Sequence, residues 1–127
     1  MAGTDAGSTR LTLLVIRTGQ PEAVTAFYRC LGVDLRPERH GRGPAHHAGR
    51  VGEVILEVYP LAGGASADTT TRLGFAVGDL AGVLESLRGG GTAVLDEPRQ
   101  TPWGFRALVR DPDGRVVELY QRGEGST

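Results

Sequence analysis

The chain has 127 residues and carries a single cysteine, Cys30, and no lysine. One cysteine excludes an internal disulfide and suits a reducing cytosol, so a cytoplasmic location is expected. The absence of lysine, beside abundant glycine, alanine and arginine, points to a GC-rich coding sequence. No apolar run approaches the roughly 18–20 residues that a membrane span needs. The first nine residues are small and polar, without the apolar centre of a signal peptide. A net charge of −1 gives no electrostatic reason to expect nucleic acid or an anionic membrane as partner. There is no Ser-His-Asp pattern and no Gly-x-Ser-x-Gly. The run Gly89-Gly90-Gly91 ends a helix instead of opening one after a strand, so it is not a phosphate loop.

What is present is organised around Trp103 to Gln121. Residues 105–109 and 116–120 are β-prone and mostly apolar, and Asp111-Pro112-Asp113-Gly114 lies between them. Proline sets φ for a turn and glycine supplies the positive φ that leaves it, so this stretch predicts a hairpin. Its second strand holds one charge among apolar neighbours, Glu118. A carboxylate there faces a polar cavity or meets a cation, because an unpaired buried charge is expensive.

The same pattern recurs 61 residues upstream: His40 to Pro60 aligns without a gap on Thr101 to Gln121, pairing Glu57 with Glu118 and Tyr59 with Tyr120. The preceding segments also correspond. Leu11 to Arg17 predicts a strand covered on both faces. Pro21 opens a helix whose apolar face is Val24, Phe27, Tyr28 and Leu31, and Gly32 ends it. Strands follow at Val33 to Arg36, Ala45 to Ala48 and Val54 to Tyr59. In the second half a strand from Arg72 to Val77 precedes a helix capped by Asp79, with Leu80, Val83, Leu84 and Leu87 on its apolar face. A strand from Thr92 to Leu95 and the hairpin complete it. The expected organisation is a disordered tail at 1–10, a βαβββ module at 11–60, a linker at 61–70, a second module at 71–121 and a tail at 122–127. The fold class is α+β.

Strand alternation predicts which side chains meet. Val54, Leu56 and Val58 should pack on a helix, as should Val117 and Leu119. Ile55, Glu57 and Tyr59, with Val116, Glu118 and Tyr120, should line a cup. The gapless alignment also puts His47 in that cup, at the counterpart of Leu108. The expected wall is Leu13, Val15, Ile55, Tyr59, Leu108, Val116 and Tyr120, with Trp103 at the rim and His47, Glu57, Arg72, Arg106 and Glu118 as its polar groups. Arg72 and Arg106 are the expected partners of the two glutamates. His46 and His47 are adjacent on a strand and so face opposite ways; a metal site built on them and His40 is not expected. Cys30 reads as an inert small hydrophobe.

The two modules, the helix end at Phe27-Tyr28 with Leu31-Gly32, the stretch Gly43-Pro44-Ala45-His46, and Asp111-Pro112-Asp113-Gly114 followed by Glu118 resemble the vicinal oxygen chelate superfamily. That group includes glyoxalase I, extradiol dioxygenases and the fosfomycin and bleomycin resistance proteins. The resemblance implies a cup with four metal-ligand positions, which fall on Leu13, Glu57, Arg72 and Glu118 in this sequence. Both carboxylates are kept, and both nitrogen or amide ligands are replaced. Leucine has no donor atom and a guanidinium is a permanent cation. The resemblance therefore implies no metal or other cofactor and is nearest to the metal-free bleomycin resistance proteins. It implies reversible sequestration of a hydrophobic or aromatic small molecule, plausibly an antibiotic, by a homodimer. The alternative is a lyase, isomerase or dioxygenase of the same fold.

Overall fold

A computed structural model describes residues 7–123. The expected disorder of the first residues and the polar tail concern, in part, residues 1–6 and 124–127, which lie outside the described residues. The first half contains β1 (Leu13–Thr18), α1 (Pro21–Cys30), β2 (Arg36–Glu38), β3 (His46–Val51) and β4 (Val54–Pro60). The second repeats the order with β5 (Leu73–Val77), α2 (Leu80–Gly89), β6 (Val94–Thr101), β7 (Gly104–Arg110) and β8 (Val116–Gln121). Each half forms a four-stranded sheet, in the orders β1-β4-β3-β2 and β5-β8-β7-β6. The first and last strands of each half pair in parallel, and all other pairs are antiparallel. The protein is thus α+β, built of two tandem βαβββ modules. Among the described residues no helix is long and apolar enough to cross a membrane.

The helices form where local signals agree. Pro21 occupies the first turn of α1, Glu22 and Arg29 complement its dipole, and Val24, Thr25, Phe27 and Tyr28 are buried. Gly32, at φ +105°, turns the chain away from it. In α2 the Asp79 carboxylate accepts the Gly82 N–H at 3.1 Å, and Leu80, Leu84 and Leu87 are buried. The two helices touch each other, and α1 packs on β1 and β4 as α2 does on β8. One apolar cluster joins the modules, running from Ile16, Val24 and Leu56 to Leu84, Val109 and Leu119.

Four strands differ from their expected course, β3 by running from His46 to Val51 where Ala45 to Ala48 is expected. β1 is covered on one face only: Ile16 is buried, whereas Leu13 is 49% exposed. β2 begins at Arg36 and not at Val33. Val33 and Leu35 instead drop into the core, and the Leu35 carbonyl accepts two N–H groups of Arg29 at 3.0 and 2.7 Å. β6 begins at Val94 and runs to Thr101, through a polar stretch containing Pro98. It is an edge strand with register shifts between Val94 and Asp96 and between Asp96 and Arg99, the setting in which a sheet tolerates proline.

Candidate functional site

Leu56, Val58, Val117 and Leu119 are buried against the helices, so the residues between them are on the opposite sheet faces. The face of the first sheet carries Leu13, paired with Ile55, and Val15, paired with Glu57. The face of the second carries Leu108, paired with Glu118, and Arg106, paired with Tyr120. Val116 follows on the same side, and Trp103 sits at the β6–β7 turn, 75% exposed. Two grooves open on the surface, and the second reaches Val15 of this face. One, of about 450 Å³, lies between the helices and includes the exposed Cys30, which is therefore not packed away as a small hydrophobe. The other, of about 340 Å³, runs along Val15 and Arg17 to Asp68 of the linker and to Thr71.

Glu57 and Glu118 occupy equivalent strand positions but belong to different clusters. Glu118 accepts the Tyr120 hydroxyl at 2.6 Å and pairs with Arg72 at 2.5 Å and Arg106 at 3.6 Å. The Tyr120 hydrogen bond holds the Glu118 carboxyl below its ordinary range; burial opposes this, and Arg72 and Arg106 reinforce it. The buried Arg106 Nε has no hydrogen-bond partner among the described residues. Glu57 lies beside His46, with its Oε2 3.8 Å from Nε2. The His46 ring stacks on Tyr59 with centroids 4.0 Å apart, and Arg17 lies over the same tyrosine. Glu38 approaches both His46 and His40.

The histidine in this face is therefore His46, and the expected His47 is not. His47 pairs directly with the buried Val58, on the helix side. Burial there, with the charge of Arg29, pushes its imidazole below the ordinary value. The reason is a difference in hairpin length. Arg50 pairs with Ile55, but the equivalent Arg110 pairs with Val116, so the second hairpin is one residue longer. The counterpart of Leu108 is then Ala48, and a one-residue slip exchanges the faces of a strand. β2 begins three residues later than expected, and Glu38 and His40 come to lie beside His46.

A second polar cluster joins the modules. The Tyr28 hydroxyl donates to Asp111 Oδ2 at 2.7 Å, and Arg115 Nη1 donates to Asp111 and Asp113 at 3.0 Å each. Arg115 Nη2 reaches the Arg17 carbonyl at 3.0 Å, while Gln20 donates to Asp113 and to the Pro112 carbonyl. Burial opposes the charge on Arg115, but its hydrogen bonds and ion pairs to Asp111 and Asp113 outweigh this and hold it protonated. Burial and Asp111 together push the Tyr28 hydroxyl far up. These residues lock the β7–β8 turn onto β1 and α1.

Two tandem βαβββ modules, each with its first and last strands paired in parallel, present polar groups on the sheet faces turned away from the helices. Residues 10–119 match the model of the Glyoxalase/Bleomycin resistance protein/Dioxygenase superfamily, and the chain belongs to that superfamily. No curated protein matches it. Among solved structures, TnmS3, an antibiotic binding protein from Streptomyces sp. CB03234, is 26% identical with a TM-score of 0.69, over 89% of this chain and 95% of that one. TioX from Micromonospora sp. ML1 is 19% identical with a TM-score of 0.65, over 87% of this chain and 97% of that one. A glyoxalase I mutant from Zea mays is 24% identical with a TM-score of 0.73, over 91% of this chain and 46% of that one. A metal ion does not fit the four positions that the resemblance assigns to it. Leu13 offers no donor, and Arg72 already neutralises Glu118.

Proposed function

We propose that the protein binds and sequesters a hydrophobic or aromatic small molecule, plausibly an antibiotic, without transforming it and without a metal at the family's four positions. The observation that carries this reading is the Arg72–Glu118 pair: a permanent cation stands where the family's metal chemistry would need an open coordination site. The similarity to an antibiotic binding protein along most of both chains supports it. The sheet faces offer apolar wall residues, namely Leu13, Val15, Ile55, Leu108 and Val116, with Tyr59, Tyr120 and the rim residue Trp103. Sparse polar groups orient a ligand in such a site. Leu13 and Trp103 stay exposed in a single chain, and a second copy facing these sheets would cover them, which supports a homodimer as the working form; the single cysteine supports a cytoplasmic location.

A thermal-shift screen against natural-product antibiotics and aromatic metabolites finds the ligand, because a compound that binds only the native state raises the midpoint. With that compound at stoichiometric protein, mass spectrometry should recover it unchanged while Trp103 fluorescence is quenched. The alternative is an enzyme of the glyoxalase or dioxygenase kind, favoured by the retention of both carboxylates. Turnover that survives chelators and disappears in Glu118→Gln would decide for it. Sedimentation of a monomer at micromolar concentration would overturn the dimer.

A further inference from the structure

We propose that Glu38, His40, His46 and Glu57 form a binding site for one divalent metal ion of the zinc type. Their donor atoms all lie within 4.8 Å of one another. His46 Nε2 is 2.9 Å from Glu38 Oε1 and 3.8 Å from Glu57 Oε2, and His40 Nε2 is 3.2 Å from the same Glu38 oxygen. The site shares only Glu57 with the four positions of the superfamily. Its other ligands come from β2, β3 and the loop between them. It stands on its own geometry and not on the sequestration reading.

His46 is the centre of the argument. Its Nδ1 lies 3.1 Å from the Pro44 carbonyl oxygen, which can only accept, so Nδ1 carries the N–H. In the neutral ring Nε2 then presents a lone pair, and it is aimed at two carboxylates that also only accept. A positive centre has to lie among these groups, either a proton or a metal ion. A ring whose other nitrogen donates to a backbone carbonyl is the usual arrangement of a metal-ligating histidine. His46 is also fixed: its side chain is 1% exposed, and its ring lies within 10° of parallel to Tyr59.

The donor set suits the ion. Two neutral imidazoles and two carboxylates carry two negative charges, which a divalent cation neutralises. Borderline metals such as zinc accept both ligand types. Tetrahedral bonds of about 2.0–2.2 Å set neighbouring donors roughly 3.3–3.6 Å apart, so the wider separations have to close and the 2.9 Å contact of His46 with Glu38 has to open slightly. The groups free to move are the two on its outer side, Glu38 and His40, whose side chains are 39% and 66% exposed. His46 and Glu57, 1% and 14% exposed, form the fixed half. Four protein ligands leave no open position, so the ion would hold the β2–β3 loop in place and would not activate water.

The test uses the untagged full-length protein, stripped with chelator, dialysed and titrated with Zn²⁺ in a calorimeter. One zinc per chain is expected, with a midpoint of thermal unfolding that rises with zinc concentration. Replacing His46 by Gln should weaken binding by about a hundredfold or more, and His40→Ala by at least about tenfold. His47→Gln should leave it unchanged, since that ring faces α1. The His40 side chain is exposed, so His40→Ala remains informative even if His46→Gln folds poorly. X-ray absorption should show nitrogen and oxygen ligands alone at about 2.0–2.2 Å. Wild-type binding weaker than about 1 mM, or zinc binding unaltered in His40→Ala, would overturn the proposal.

Discussion

The two modules share one topology and divide its tasks differently. In the first, the β3–β4 connection is the two-residue turn Gly52-Glu53, with Glu53 in solvent against Arg10. In the second, the β7–β8 connection is the longer Asp111–Arg115 turn, folded back on the first module through Tyr28, Gln20 and the Arg17 carbonyl. The sheet faces divide in the same way. Around Glu57 the neighbours are His46 and Glu38; around Glu118 they are Arg72, Arg106 and Tyr120. A duplicated architecture therefore leaves two equivalent carboxylates with opposite needs. One is already neutralised by arginine, and the other stands among groups that still call for a cation.

The sharpest way to break the comparison is at the turns. Arg115 and Asp111 are 3% and 0% exposed at the side chain and form a buried pair. Removing one partner leaves the other charge unpaired, so Arg115→Ala should cost about 3–5 kcal/mol in urea unfolding. Glu53→Ala, in the corresponding turn of the first module, removes an exposed ion pair and should stay within about 0.5 kcal/mol. Equal effects from the two variants would remove the distinction between a lock and a plain turn.

The next effect lies in the sheets. Gly49 of β3 pairs with Leu56, and its counterpart in β7, Val109, pairs with Val117. Val109 fills the core, whereas at Gly49 the Asp34 carbonyl comes so close that a Cβ would lie 2.6 Å from it. The glycine is what lets the segment carrying Val33 and Leu35 reach the core. Gly49→Ala should destabilise by about 1–3 kcal/mol through forced backbone movement. Gly74→Ala in β5 meets only ordinary contacts at 3.9 Å or more and should be nearly neutral on thermal unfolding. If Gly49→Ala is tolerated as well as Gly74→Ala, the close approach of Asp34 is not a constraint.

The elements that were legible in the sequence are those with an independent local signal. Pro21, Gly32 and Asp79 mark helix ends, and the spacing of Val24, Phe27 and Tyr28 marks a face; each of these holds in the structure. The alternation through Glu57 and Glu118 needed only strand geometry, and it placed both carboxylates opposite the buried Leu56 and Val117. What failed depended on counting across a turn. His47 was put in the cup because the two hairpins were aligned without a gap. Counting outward from Gly52-Glu53 alone, with Glu57 fixed, would have given His46. Strands β2 and β6 contain Pro37 and Pro98, whose tolerance at sheet edges depends on tertiary position and not on sequence neighbours. The Asp111-to-Arg115 lock was hidden for a related reason, since Asp-Pro-Asp-Gly reads as a turn whether or not its carboxylates meet partners far away in the chain.

The smallest effect concerns acid. The carboxyl of Glu118 is held below its ordinary value, first by the Tyr120 hydroxyl, against burial, and then by Arg72 and Arg106. A depressed folded value means that the native state favours the carboxylate. Its contribution to stability is complete above the ordinary carboxylate range and is lost as pH falls through the folded value. Tyr120→Phe removes the hydroxyl bonded at 2.6 Å while keeping the ring, so near neutral pH it should cost about 0.5–1 kcal/mol. As the pH falls through its depressed folded value, Glu118 protonates in the wild type. The difference between wild type and variant should then shrink. Urea midpoints measured at several pH values, with the Glu118 carboxyl followed by NMR, check both parts: the variant's carboxyl should titrate at higher pH than the wild type's. A stability gap that stays constant down to acid would mean that the Tyr120 hydroxyl acts through something other than the charge on Glu118.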